Sequence, residues 1–159
     1  MRPNNLSFIP ASEHLVRQMM PWFHNDAEIR QWSGPNFRYP YDATSFIADL
    51  QLTTLASYCL MDGEQLVAFG QFYERLGRLH LARLVVAPNF RQLGMSKHLI
   101  TSLIEEGRQQ LSTRQVSLFV LTQNVPALKC YQALGFKPKD YPNGMPIPDC
   151  LYLVLNLSD

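Results

Sequence analysis

Apolar and polar positions follow two rhythms along this chain, and the switch between them over residues 81 to 104 is the clearest feature. Leu81, Leu84, Val85 and Val86 form an apolar run that suits a strand buried on both faces, and Pro88 ends it. From Met95 onward the period lengthens: Leu99, Ile100, Leu103, Ile104 and Leu111 share one stripe at helical spacing. The same reading gives strands at 6–9, 57–61, 66–73, 116–121 and 150–157, with Asp62-Gly63 as a hairpin turn and Leu76-Gly77-Arg78 leading into the strand at 81–86. Helices are expected after Ser12, where Pro21 disturbs the pattern, after Asp26, and from Asp42 or Thr44 to Leu55. A further helix starts at Asn124, a natural N-cap, and ends at Gly135. Residues 137–149 hold four prolines and Asn143-Gly144, and read as a long loop.

Residues 32–41, WSGPNFRYPY, combine turn formers with large aromatic side chains. Such an apolar loop either caps a core or lines a pocket. Trp32, Phe37 and Tyr39 are its candidate pocket residues.

At 159 residues the chain fits one domain over 1–159, and 47% apolar with 17% charged residues is ordinary globular composition. A net charge of +1 gives no argument for nucleic acid or a membrane surface as partner. No apolar run approaches a membrane span, and MRPNNLSFIP lacks the form of a signal peptide, so the cytoplasm is the expected compartment. Cys59, Cys130 and Cys150 are too scattered for a disulfide framework or a zinc site, and His14, His24 and His98 lack partners at metal spacing. No metal is expected.

Arg91-Gln92-Leu93-Gly94-Met95-Ser96 joins the strand to the helix. The amides of a helix start are unpaired, glycine lets a ligand approach the main chain, and the helix dipole favours negative charge there. With Arg91 and Lys97 nearby, the segment reads as a site for a phosphate or pyrophosphate, or else as a tight turn with a solvated basic face. Neither the Walker loop nor the dinucleotide Gly-x-Gly-x-x-Gly is present.

Arg91-x-x-Gly94-x-Ser96, following Val86-Ala87-Pro88, resembles motif A of the GNAT superfamily of acyl-CoA-dependent N-acyltransferases, with Ser96 where that motif carries Gly or Ala. Asn124-Val125-Pro126-Ala127-Leu128-Lys129-Cys130-Tyr131-Gln132-Ala133-Leu134-Gly135-Phe136 resembles motif B of the same family at every fixed position. The resemblance implies an α/β fold: a mixed, mostly antiparallel sheet of six or seven strands, splayed at its centre, with helices on both faces. It implies acetyl transfer from acetyl-CoA to a primary amine by direct attack in a ternary complex.

Under that resemblance, the amides of Gln92, Leu93, Gly94, Met95 and Ser96 hold the pyrophosphate, with Arg91 and Lys97 helping. Main-chain groups of Leu84, Val85 and Val86 pair with the pantetheine arm like an added strand, and the amide of Val85 or Val86 serves the oxyanion. Asn124 stands where the family binds the cofactor, a role compatible with capping its helix. Tyr131 is the residue expected to protonate the departing thiolate. Transfer from a free Tyr, with a pKa of roughly 10, to a thiolate of roughly 8.5 is uphill by about 2 kcal/mol. Tyr131 must therefore have its pKa lowered or act as a hydrogen-bond donor.

Relatives often carry a glutamate base at the position of Ala82, which this chain lacks. His80 lies on the same strand face and is the candidate base, with Glu74 another option. Cys130 has no His-Asp grouping around it to make it a nucleophile. The loop at 32–41 corresponds in the family to a wall of the acceptor site. A small, partly apolar amine is the expected acceptor, and a protein N-terminus or lysine is the alternative. The missing glutamate keeps a non-catalytic acyl-CoA-binding module open. A homodimer is expected by analogy alone.

Overall fold

The computed structural model describes residues 3–158; Met1, Arg2 and Asp159, included in the one-domain expectation, lie outside the described residues. In chain order the elements are β1 (Leu6–Pro10), α1 (Glu13–Val16) with a 3-10 turn (Arg17–Trp22), α2 (Asp26–Ser33) and α3 (Ala43–Leu50). Then come β2 (Ala56–Asp62), β3 (Gln65–Arg75), β4 (Arg78–Val86), a short 3-10 turn (Pro88–Phe90) and α4 (Met95–Gln110). β5 (Gln115–Leu121), α5 (Val125–Ala133), β6 (Lys137–Pro138) and β7 (Cys150–Asn156) complete the chain.

The strands form a seven-stranded sheet in the order β1-β2-β3-β4-β5-β7-β6, antiparallel except for the β4–β5 pair. β3 is buried from Leu66 to Phe72, as a central strand covered on both faces must be. Alternate residues feed two cores. Leu60, Ala68, Leu79, Leu81, Val116 and Leu118 pack beneath α4 and α5. Cys59, Met61, Leu66 and Phe69 pack beneath α1, α2 and α3. The approach of α4 to the sheet depends on two glycines: a Cβ at Gly107 would stand 2.5 Å from Leu79, and one at Gly70 would stand 2.6 Å from Leu103.

Two irregularities position the functional cleft. β4 and β5 pair only over Leu79–Leu81 and Val116–Leu118, after which they part. On its other side β4 carries a bulge. Phe69 pairs with Val85 and Gln71 with Ala82, so two steps along β3 face three along β4, and Arg83 takes a left-handed φ of 51°.

Three expectations need correcting. The cap of α2 is Asn25, whose side chain accepts from the Glu28 amide at 2.9 Å, so Asp26 is the first residue inside the helix. α3 stops at Leu50, because Gln51 adopts a left-handed φ of 55° and bonds back to the Ala48 carbonyl. Lys137–Pro138 pairs with β7 and is a strand, although too short to show any alternation.

Candidate active site

The helix that begins at Met95 starts with its amides open. Gly94 occupies the N-cap with φ 80°, and no side chain caps the turn. Open space lies where a Cβ at Gly94 would project. Gln92, with φ 63°, bends the preceding loop. Leu93 and Met95 turn their side chains onto the core and Phe90 is buried, so the loop is anchored while its main chain faces outward. Arg91 and Lys97 are exposed, and neither takes part in an ion pair among the described residues. Uncapped amides, the positive end of a sixteen-residue helix and two exposed cations without ion-pair partners among the described residues make a site suited to a phosphate.

Next to it runs the free edge of β4. The Ala87 amide donates to the Val67 carbonyl at 2.8 Å, so strand alternation turns Val85 toward β3 and leaves the amide of Val86 facing the gap. The Val86 carbonyl, facing the same way, accepts from Arg91 Nε at 3.3 Å. Between the two candidates for stabilising an oxyanion, this orientation favours Val86.

Arg83, at the bulge, ties the N-terminal helices to the sheet. Its Nε donates to Ser33 Oγ at 2.7 Å, and its Nη1 donates to the Asp49 carbonyl at 2.9 Å and reaches the Leu50 carbonyl and Gln71 Oε1. Its own carbonyl accepts from Trp32 Nε1 at 2.9 Å.

Across the gap, Asn124 caps α5 by accepting from the Ala127 amide at 3.4 Å, which leaves its NH2 group available. Tyr131 is half-buried against Phe136, and its hydroxyl has no hydrogen-bond partner among the described residues. Burial, with a smaller contribution from neighbouring Cys130, pushes the phenol further up. Of the two options open to Tyr131, the lowered pKa is thus absent and hydrogen-bond donation stays. Burial also raises the Cys130 thiol, which argues against a thiolate nucleophile.

The cleft, about 1250 Å³, continues past the parting strands to a polar end. His80, 1% exposed, sits between Tyr73 and Phe119, with Nδ1 2.8 Å from Ser117 Oγ. Burial, assisted by Arg75, lowers its pKa to about 3. An imidazole so disposed stays neutral at pH 7 and cannot retain an amine's proton, so His80 is poorly suited to the role of base. Glu74 is exposed and does not line the cleft. The carboxylate that does reach the wall is Glu28, which accepts from the His24 amide and pairs with the His24 ring.

Of the aromatic loop, Trp32 lines the cleft. Phe37 and Tyr39 do not: Phe37 is 4% exposed in the second core, packed on Trp32 and Phe46, and the Tyr39 hydroxyl donates to the His24 carbonyl. The loop therefore caps a core and offers Trp32 to the pocket. Sequence reading missed Tyr73, Arg75 and Phe119 on the opposite wall. Tyr73 and Arg75 stand two apart on one strand, a spacing that could have flagged them; nothing local marks Phe119 as their partner.

Comparison with known proteins agrees with this geometry. The model of the acetyltransferase (GNAT) family matches residues 26–136. The PaiA N-acetyltransferase of Thermoplasma acidophilum, solved in complex with coenzyme A, superposes with a TM-score of 0.71 at 13% identity, over 96% of this chain and 99% of that one. A GNAT acetyltransferase of Elizabethkingia anophelis with acetyl-CoA bound gives 0.65 at 16% identity, over 97% and 99%. The ribosomal-protein-S18-alanine N-acetyltransferase of Escherichia coli gives 0.67 at 19% identity, over 97% and 95%. With both motifs seated on a splayed sheet and more than half the chain matched by the family model, the chain belongs to the GNAT acetyltransferase family.

Proposed function

We propose that this protein transfers an acetyl group from acetyl-CoA to the primary amine of a small molecule, by direct attack in a ternary complex. The observation that carries the reading is the meeting, in one cleft, of an uncapped helix start, an unpaired strand edge and an unbonded tyrosine hydroxyl. Acetyl-CoA supplies an activated thioester. The amides of Gln92 to Ser96, with Arg91 and Lys97, hold its pyrophosphate. The β4 edge at Leu84 and Val86, on either side of Val85, aligns its pantetheine arm, and the Asn124 NH2 group assists from the other side. The Val86 amide donates to the carbonyl oxygen as negative charge builds there. Tyr131 donates a hydrogen bond to the sulfur as the carbon–sulfur bond breaks.

With Ala82 where a base would stand and His80 held neutral, neither of these positions keeps the amine's proton. The amine gives it up to water. The small-molecule acceptor is supported by the apolar side chains of Trp32 and Phe119 on the cleft lining. The unpaired cysteines fit a cytoplasmic setting, and no helix among the described residues is long and apolar enough to cross a membrane.

The test is release of free CoA thiol from acetyl-CoA, against polyamines, amino acids, aminoglycosides and short peptides. Saturable turnover on small amines is the expected result. Turnover confined to peptides would move the acceptor to a protein N-terminus or lysine. Tight CoA binding without turnover on any amine would leave an acyl-CoA-binding module.

A further inference from the structure

The polar end of the cleft contains a guanidinium that the mechanism above does not use. Arg75 Nε donates to Tyr141 Oη at 2.7 Å and Nη1 donates to Tyr73 Oη at 2.9 Å. Its Cζ stands 4.9 Å from the centre of the Phe119 ring and 5.4 Å from that of Tyr141. These contacts fix the plane of the head group while occupying two of its five N–H donors. No carboxylate reaches it: among the described residues the ion pairs of arginine join Arg30 to Asp26 and Arg38 to Asp49. Arg83 differs, because its Nε and Nη1 are engaged by Ser33, Asp49, Leu50 and Gln71 and hold the N-terminal helices to the sheet.

We propose that Arg75 binds a carboxylate of the acceptor, so that the acceptor is an amino acid or a comparably small amino-carboxylate; this rests on the acyl-transfer reading of the same cleft. A planar fork held by two tyrosines matches a carboxylate in shape and charge. One such cation, with neutral His80 beside it, suits a single negative charge better than a phosphate dianion. Position agrees as well. Phe119 is one residue beyond the last β4–β5 pair, so the guanidinium stands at the opening of the gap. Leu84 lies three residues past that pair, roughly 10 Å along β4. With its carboxylate on Arg75, the acceptor's amine is directed along β4 toward the thioester. Trp32 and Phe119 border the space left for its side chain.

Two measurements test the assignment separately from the acyl-transfer reading. The first is binding of N-acetyl amino acids and their uncharged amides to the CoA-loaded protein, followed by tryptophan fluorescence or calorimetry, for wild type and Arg75→Met. The second is thiol release with amino acids, their amides, the decarboxylated amines and an aminoalkyl phosphonate. The acids should bind about ten- to a hundredfold more tightly than the amides, and Arg75→Met should erase that difference while retaining CoA affinity. The same preference should appear in KM. Equal binding of acids and amides, an unchanged preference in Arg75→Met, or a phosphonate favoured over the carboxylate would each overturn the proposal. Arg75-dependent binding of acids without thiol release from any amine would uphold this site and sink the catalytic reading. Turnover indifferent to the carboxylate would do the reverse.

Discussion

His80 Nδ1 and Ser117 Oγ lie 2.8 Å apart across the parallel β4–β5 pairing, one residue before the two strands separate. Both residues are buried, and the hydrogen bond closes the floor of the cleft where the backbone ladder ends. His80 is held neutral by its surroundings, with a pKa of about 3 against an ordinary 6.5. Between those values the unfolded chain binds a proton that the folded chain refuses, so stability falls as the pH drops from 6.5 toward 3. Denaturant midpoints measured from pH 7 to about 5.5, where carboxylates of ordinary pKa (about 4) remain ionised, should decline in wild type and stay flatter in His80→Gln. A flat wild-type profile would contradict the neutral, buried assignment.

Turnover should respond to pH through the acceptor rather than through His80. If water takes the amine's proton, kcat/KM rises about tenfold per pH unit up to the acceptor's own pKa. A set of amines of graded basicity reads this directly. An inflection near pH 6.5 common to all of them would point to a protein base instead.

Replacing Tyr131 by Phe removes the unbonded hydroxyl and leaves the ring against Phe136. Turnover should fall by about ten- to a thousandfold, with CoA affinity little changed, because the lost hydrogen bond matters chiefly as charge builds on sulfur. Single-turnover kinetics alongside a CoA titration separates the two quantities. Unchanged turnover would remove Tyr131 from the mechanism.

Gly94→Val places a side chain in the open space above the helix start and strains a φ of 80°. The KM for acetyl-CoA should rise by about tenfold or more as pyrophosphate is kept from the amides. Thermal melting of the free protein should change far less than melting in the presence of CoA.

Gly107→Val tests the packing of α4 on the sheet. Its Cβ would overlap Leu79, which is fully buried and has no room to retreat. A loss of about 1–3 kcal/mol is expected from equilibrium unfolding.

The parts of the fold that were legible in the sequence are those coded locally. The strand at 81–86, the turn with Gly94 and the helical stripe from Leu99 to Ile104 are each contained within a few neighbouring residues, and so are the positions of Asn124 and Tyr131 on α5. Features that depend on distant partners were not legible. Phe37 appeared as a pocket residue because a loop aromatic does not reveal that Phe46 and Trp32 will enclose it. Arg75 falls outside the strand expected at 66–73, and nothing near it in sequence announces Tyr141, 66 residues later, folded against it. His80 lines the cleft, yet its suitability as a base turns on desolvation by Tyr73, Phe119 and Tyr152, which no spacing conveys.

The bulge at Arg83 bears on how this enzyme can diversify. One residue fixes the indole of Trp32 through its carbonyl, holds Ser33 and the end of α3 through its guanidinium, and sets the twist of the strand that presents Val86. On the proposed function, acceptor recognition and alignment of the thioester are thus not separate modules. A loop at 32–41 transplanted from another family member without its own partner at position 83 should arrive misregistered. New acceptor scope must therefore evolve through coordinated changes on both elements.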